Sequence, residues 1–199
     1  PEHRMYRWVG AWDGMETNIN SRLTDDAFGG GEGYRPTLNS YLFAYLMALA
    51  RYMRSGGPEI GGAPLTLMQA YNQVFDRVST NQNAAGYWCY VNAGCNDSST
   101  TQLVMAGLSA AKGLYSDAAF ADAGRLATAD TLAANARAGY IANGTPGGGG
   151  FAGSADELGH GYNAGSPNSI QQTASGTWIQ LVGGADLNDA TVQGYLRWI

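Results

Sequence analysis

The stretch Gly86-Tyr-Trp-Cys-Tyr-Val-Asn-Ala-Gly-Cys-Asn-Asp-Ser-Ser-Thr-Thr-Gln-Leu-Val-Met-Ala-Gly-Leu-Ser-Ala-Ala-Lys-Gly-Leu-Tyr115 decides the fold. It opens on a glycine followed by aromatics, continues as a polar loop, and reaches Ser98-Ser99-Thr100-Thr101, small polar residues suited to a helix start. The run from Leu103 to Leu114, rich in Ala and Gly, then reads as a helix. Two other stretches say nearly the same. Gly33-Tyr34 precedes Asn39-Ser40 and the run Tyr41 to Met53. Gly150-Phe151 precedes, after a longer insertion, Asn168-Ser169 and the run Ile170 to Val182. Self-similarity of this kind is the mark of a repeat architecture.

Between the repeats lie helices of a different type. Met5, Trp8, Val9, Trp12, Met15 and Ile19 recur at three and four, which predicts an amphipathic helix over residues 4–22. Leu67, Met68, Tyr71, Val74, Phe75 and Val78 mark another, with Gln69, Asn72, Gln73, Asp76 and Arg77 on its outer side. An Ala-rich helix is expected to begin near Asp117 and to break in the glycines after Gly139. Asn188 or Asp189 can cap a last helix carrying Val192, Leu196 and Ile199. No stretch shows sustained period-two alternation, so the chain reads as all-α. The runs starting near residues 39, 99 and 168 are apolar nearly all round, and those between them are two-faced. Paired as hairpins, about seven helices would form two concentric layers, the oilier set inside.

These residues resemble the repeat of the terpenoid cyclases and protein prenyltransferases, most closely in Gly86-Tyr87-Trp88 through Leu103 and again from Asn168-Ser169 to Trp198. Gln172-Thr-Ala-Ser-Gly176-Thr-Trp178 is also similar to a string of the squalene cyclases. The resemblance implies an α/α toroid, here incomplete, spanning residues 1–199 as a single domain that is a half-ring subunit or part of a longer chain. It also implies where chemistry should be. The acid motif of those cyclases ends in paired aspartates, and Asp25-Asp26 is preceded by Leu23-Thr24 rather than by a further Asp. No Asp, Cys and His set matches the prenyltransferase zinc ligands, so no metal and no cofactor are expected.

Composition narrows the partners. A net charge of −5 argues against nucleic acid, whose phosphates demand a basic surface. No run approaches the ~18 apolar residues of a membrane span. Charged residues are only 14%, so Asn, Gln, Ser and Thr dominate the polar surface, as suits a secreted protein or an assembly subunit. Cys89 and Cys95 stand close enough in sequence to close a small disulfide loop, which points to an oxidising compartment, or they are two buried thiols.

The most reactive-looking residues fall in the insertion: Asp156, Glu157, His160 and Tyr162. A carboxylate beside an imidazole can act as acid and base. The same groups can equally satisfy a hydrated glycine-rich loop. Tyr34, Tyr87, Trp88, Tyr90, Phe151 and Tyr162 could line a concave pocket for a glycan or an isoprenoid, or wedge between hairpins. The expectation is a non-catalytic, extracytoplasmic (secreted, periplasmic or surface-associated) binding or assembly module that associates with protein partners or itself. The alternative is an enzyme, either terpenoid-cyclase-like or polysaccharide-active through the 156–163 loop.

Overall fold

A computed structural model of the protein describes residues 38–59, 65–90, 94–147 and 149–199. The helix expected over residues 4–22, the Asp25-Asp26 pair and the Gly33-Tyr34 turn lie outside the described residues. Those that are described belong to one compact unit, Pro36–Ile199. Six helices occur among them: α1 (Leu38–Arg54), α2 (Leu67–Thr80), α3 (Ser98–Tyr115), α4 (Ala123–Asn143), α5 (Ile170–Val182) and α6 (Ala190–Trp198). Two short strands, β1 (Thr145–Pro146) and β2 (Leu158–Gly159), pair antiparallel and close the insertion between α4 and α5.

Side-chain caps set the helix starts. Thr66 and Gln69 form a reciprocal capping box at α2. Asp97, Asp122, Ser169 and Asp189 each accept a backbone N–H at the starts of α3, α4, α5 and α6. The α4 start corrects the sequence reading. Asp117 pins a turn, accepting from the backbone N–H of Ala119, and the helix begins only after Asp122.

Helix packing follows the two predicted helix types. α1 packs on α3 and α3 on α5, which makes a row of the oilier helices. α2 lies against α1, α4 against α3 and α6 against α5, and α4 also touches α2 and α5. The central helix of the row is the most enclosed, with Val104, Met105, Leu108, Ala111 and Leu114 all buried. Tyr115 meets Tyr71 and Phe75 edge-on at 5.7 and 5.1 Å, joining α3 to α2. α1 and α5 depart from the expected all-round burial. Met47 is 44% exposed, Ile170 61% and Trp178 41%, because each of these helices has a row neighbour on one side only among the described residues.

The glycine-aromatic turn has a clear steric cause. Gly86 has φ +84°, and a Cβ there would collide with the Asn135 carbonyl of α4. From the other side, a Cβ on Gly139 would collide with the carbonyl of Ala85. The two glycines let the turn lie directly on the α4 backbone. Tyr87 and Trp88 then drop into the core.

Candidate functional site

The segment leading into α3 and the segment leading into α5 are built from the same hydrogen bonds. The backbone N–H of Trp88 donates to Thr101 Oγ1 at 3.0 Å, and that of His160 donates to Thr173 Oγ1 at 3.0 Å. Each threonine N–H in turn donates to the carbonyl of its helix cap, Asp97 or Ser169. Trp88/His160, Tyr90/Tyr162, Asn96/Asn168 and Thr101/Thr173 all stand at one constant offset in sequence. This corrects the repeat register. The counterpart of the core aromatic is His160, and Phe151 lies before the repeat proper. Phe151 is 92% exposed and wedges under nothing, its backbone N–H donating to Trp198 O.

Trp88 is fully enclosed, and its indole N–H donates to Val78 O in the last turn of α2 at 2.8 Å. It is therefore a core post rather than part of a ligand surface. His160 occupies the matching place with different chemistry. Only 1% exposed, it stacks on Tyr140 with ring centroids 4.2 Å apart, and Tyr140 stacks on Tyr87 at 5.1 Å. Its Nδ1 lies 2.7 Å from the Gly161 carbonyl, which fixes that nitrogen as the N–H donor. Nε2 is then the acceptor for the Tyr87 hydroxyl at 3.0 Å. The same hydroxyl lies 3.3 Å from Gly139 O in the last turn of α4. Where Trp88 bonds the preceding helix directly, His160 bonds the Tyr87 phenol, which has only one proton to share between Nε2 and Gly139 O.

Burial pulls the His160 pKa below its ordinary value, opposed by the Gly161 carbonyl. Burial likewise pushes the Tyr87 phenol up to about 12, with an Asn143 hydrogen bond working against it. The imidazole is neutral at pH 7 and sealed among phenols.

The residues two places on, Tyr90 and Tyr162, meet at the surface. Their hydroxyls are 2.8 Å apart, and both touch Ser99 Oγ, at 3.1 and 2.9 Å. Ser99 donates to Asp97 Oδ1 at 2.7 Å, and the same oxygen accepts the Thr100 N–H. Asp97 is buried, whereas Tyr90 and Tyr162 remain 41% and 40% exposed. The Ser99 hydrogen bond lowers the Tyr162 pKa, but Tyr90, partial burial and the Asp97 charge together push it up to about 12. The disulfide formed by Cys89 and Cys95 flanks Tyr90. Asn83 braces that ring, its side-chain amide donating to Cys95 O at 3.0 Å.

No family model, curated protein or solved structure matches this chain.

The four acid-base candidates of the insertion have separate partners. Asp156 is exposed and pairs with Arg197 at 2.9 Å; the Ser154 hydroxyl, chiefly, and the Arg197 charge hold its carboxyl below the usual range. Glu157 is buried, and its Oε2 accepts the Gly150 N–H at 3.1 Å. Its Oε1 has no hydrogen-bond partner among the described residues. His160 belongs to the aromatic stack and Tyr162 to the surface patch. Of the expected ligand-facing aromatics, only Tyr90 and Tyr162 sit in that patch among the described residues; Tyr34 lies outside them. Sequence reading missed Ser99, Asp97 and Tyr140 as members of these clusters. The constant offset of Tyr90 and Tyr162 was the signal that could have found the patch. Among the described residues, no group of three His, Cys, Asp or Glu side chains could hold a metal, and no helix is long and apolar enough to cross a membrane.

Proposed function

We propose that this chain is a non-catalytic binding or assembly module that works outside the cytoplasm, with the surface formed by Tyr90, Ser99 and Tyr162 as its contact face. The observation that carries this reading is the fate of the insertion's reactive groups. His160, the natural acid-base residue, has both ring nitrogens engaged and is sealed from solvent, so it braces the chain that presents Tyr162. The contact face combines two half-exposed phenols with a buried carboxylate, and a disulfide holds one of its loops.

The scaffold we infer is an incomplete α/α toroid of the prenyltransferase and squalene-cyclase kind. The row of α1, α3 and α5 backed by α2, α4 and α6 supports it, as does the repeated Trp88/His160 hydrogen-bond frame. The Cys89–Cys95 bond fits an oxidising compartment.

The test is a turnover panel of glycans and isoprenoid diphosphates run beside a pull-down with the intact chain. A binding module gives no turnover and retains partners through Tyr90 and Tyr162, so that changing both tyrosines to Ala releases them. Turnover by the wild type that Asp156→Ala or His160→Gln abolishes in a folded protein would replace this reading with the enzyme.

A further inference from the structure

Two successive repeats use one backbone frame, and in one of them the core post is a titratable ring. We propose that His160 makes the α3–α5 junction an acid-sensitive latch: protonating the imidazole loosens residues 158–169 and the Tyr162 side of the contact face, while the α1–α3 side stays closed.

The surroundings decide the direction. The groups facing His160 are the phenols of Tyr87 from the turn before α3 and Tyr140 from α4, the Ser98 hydroxyl of α3 and the Gly161 carbonyl. From α5, Thr173 takes only its backbone N–H. Among the described residues no carboxylate touches the ring, so no ion pair there offsets the charge of an imidazolium in this enclosure. The hydrogen bonds themselves survive protonation. A charged ring donates from both nitrogens, and the Tyr87 hydroxyl can accept from Nε2 while donating to Gly139 O. What protonation costs is the desolvated charge, and exposing the ring removes that cost.

The ring cannot move alone. Its backbone N–H is held by Thr173 and its carbonyl accepts the Ser169 N–H at the start of α5. The next residue but one gives its carbonyl to the Ser98 N–H at the start of α3. Releasing the ring therefore draws on the links that tie both helix starts together. Trp88 shares the backbone N–H bond to a threonine and carries an indole that never titrates, which leaves its own junction indifferent to acid.

Hydrogen exchange of the whole chain, corrected for the intrinsic effect of pH, tests this at about pH 7.5 and about pH 5, on either side of the free imidazole value. Amides of residues 158–169 should lose protection several-fold at the lower pH, with those of α2 and the Trp88 turn unchanged. His160→Gln should remove the difference. Equal protection at both pH values, or the same loss in His160→Gln, overturns the latch. Should His160→Gln not fold, the wild type decides: loss of protection that tracks the NMR titration of the His160 ring itself fits, and loss that does not track it overturns the latch.

Discussion

The junction before α3 and the junction before α5 share a hydrogen-bond frame but differ in the group that fills it. In the first, an indole spans from the turn to the helix behind and closes the gap with one direct bond to Val78 O. In the second, an imidazole accepts the one proton of the Tyr87 phenol, whose oxygen lies 3.3 Å from Gly139 O with no second proton to give it. The first is one rigid, permanently neutral piece. The second depends on a tautomer, a hydroxyl orientation and a protonation state. A repeat thus fixes where a side chain goes, and the residue chosen fixes how conditional the joint is.

The largest expected effect comes from breaking the permanent joint. Trp88→Ala removes the largest fully buried side chain among the described residues and should cost about 3–5 kcal/mol in denaturant unfolding. His160→Ala should cost less, about 2–3 kcal/mol, since a smaller ring leaves the core, though the Tyr87 hydroxyl loses its acceptor.

The pH dependence sharpens the contrast. The folded pKa of His160 is lowered, so below about pH 6.5 the unfolded chain takes up the proton first and stability falls. Above that value the contribution is complete. Urea midpoints across this range should fall with acid in the wild type and flatten in His160→Gln.

Opening the Cys89–Cys95 ring by changing both residues to Ser should cost about 2 kcal/mol, since a short loop has little closure entropy to lose. Thr101→Val and Thr173→Val should each cost about 1–2 kcal/mol and match one another closely, because each strands one buried backbone N–H in an equivalent place. Unequal losses would mean the two frames are not equivalent. Smallest of all, Tyr162→Phe should change stability by less than about 1 kcal/mol, its hydroxyl being half in water.

Much of the fold was legible in the chain. Apolar runs at Tyr41–Met53 and Leu103–Leu114 and the two-faced pattern at Leu67–Val78 sufficed to assign these segments as helices, because helical burial is written in periodicity. The start of α4 was misplaced because Asp117 and Asp122 are both good caps, and the turn between them is decided by tertiary contacts such as the Asp117–Arg54 pair. Glycine followed by an aromatic is a misleading marker for the third repeat and puts it in the wrong register. Gly150-Phe151 has those letters, yet the frame itself depends on backbone bonds to a threonine, which accept Trp or His alike. The candidate site suffered most. Its members come from three segments far apart in sequence, and a buried His surrounded by phenols has the same composition as an exposed catalytic one.

The most direct single measurement is the NMR titration of the His160 imidazole in the intact chain, assigned with His160→Gln. A sealed neutral joint gives a midpoint below 6.5, with Nδ1 carrying the proton in the neutral form. A midpoint at or above 6.5, or a ring that titrates as freely as a surface histidine, would contradict it.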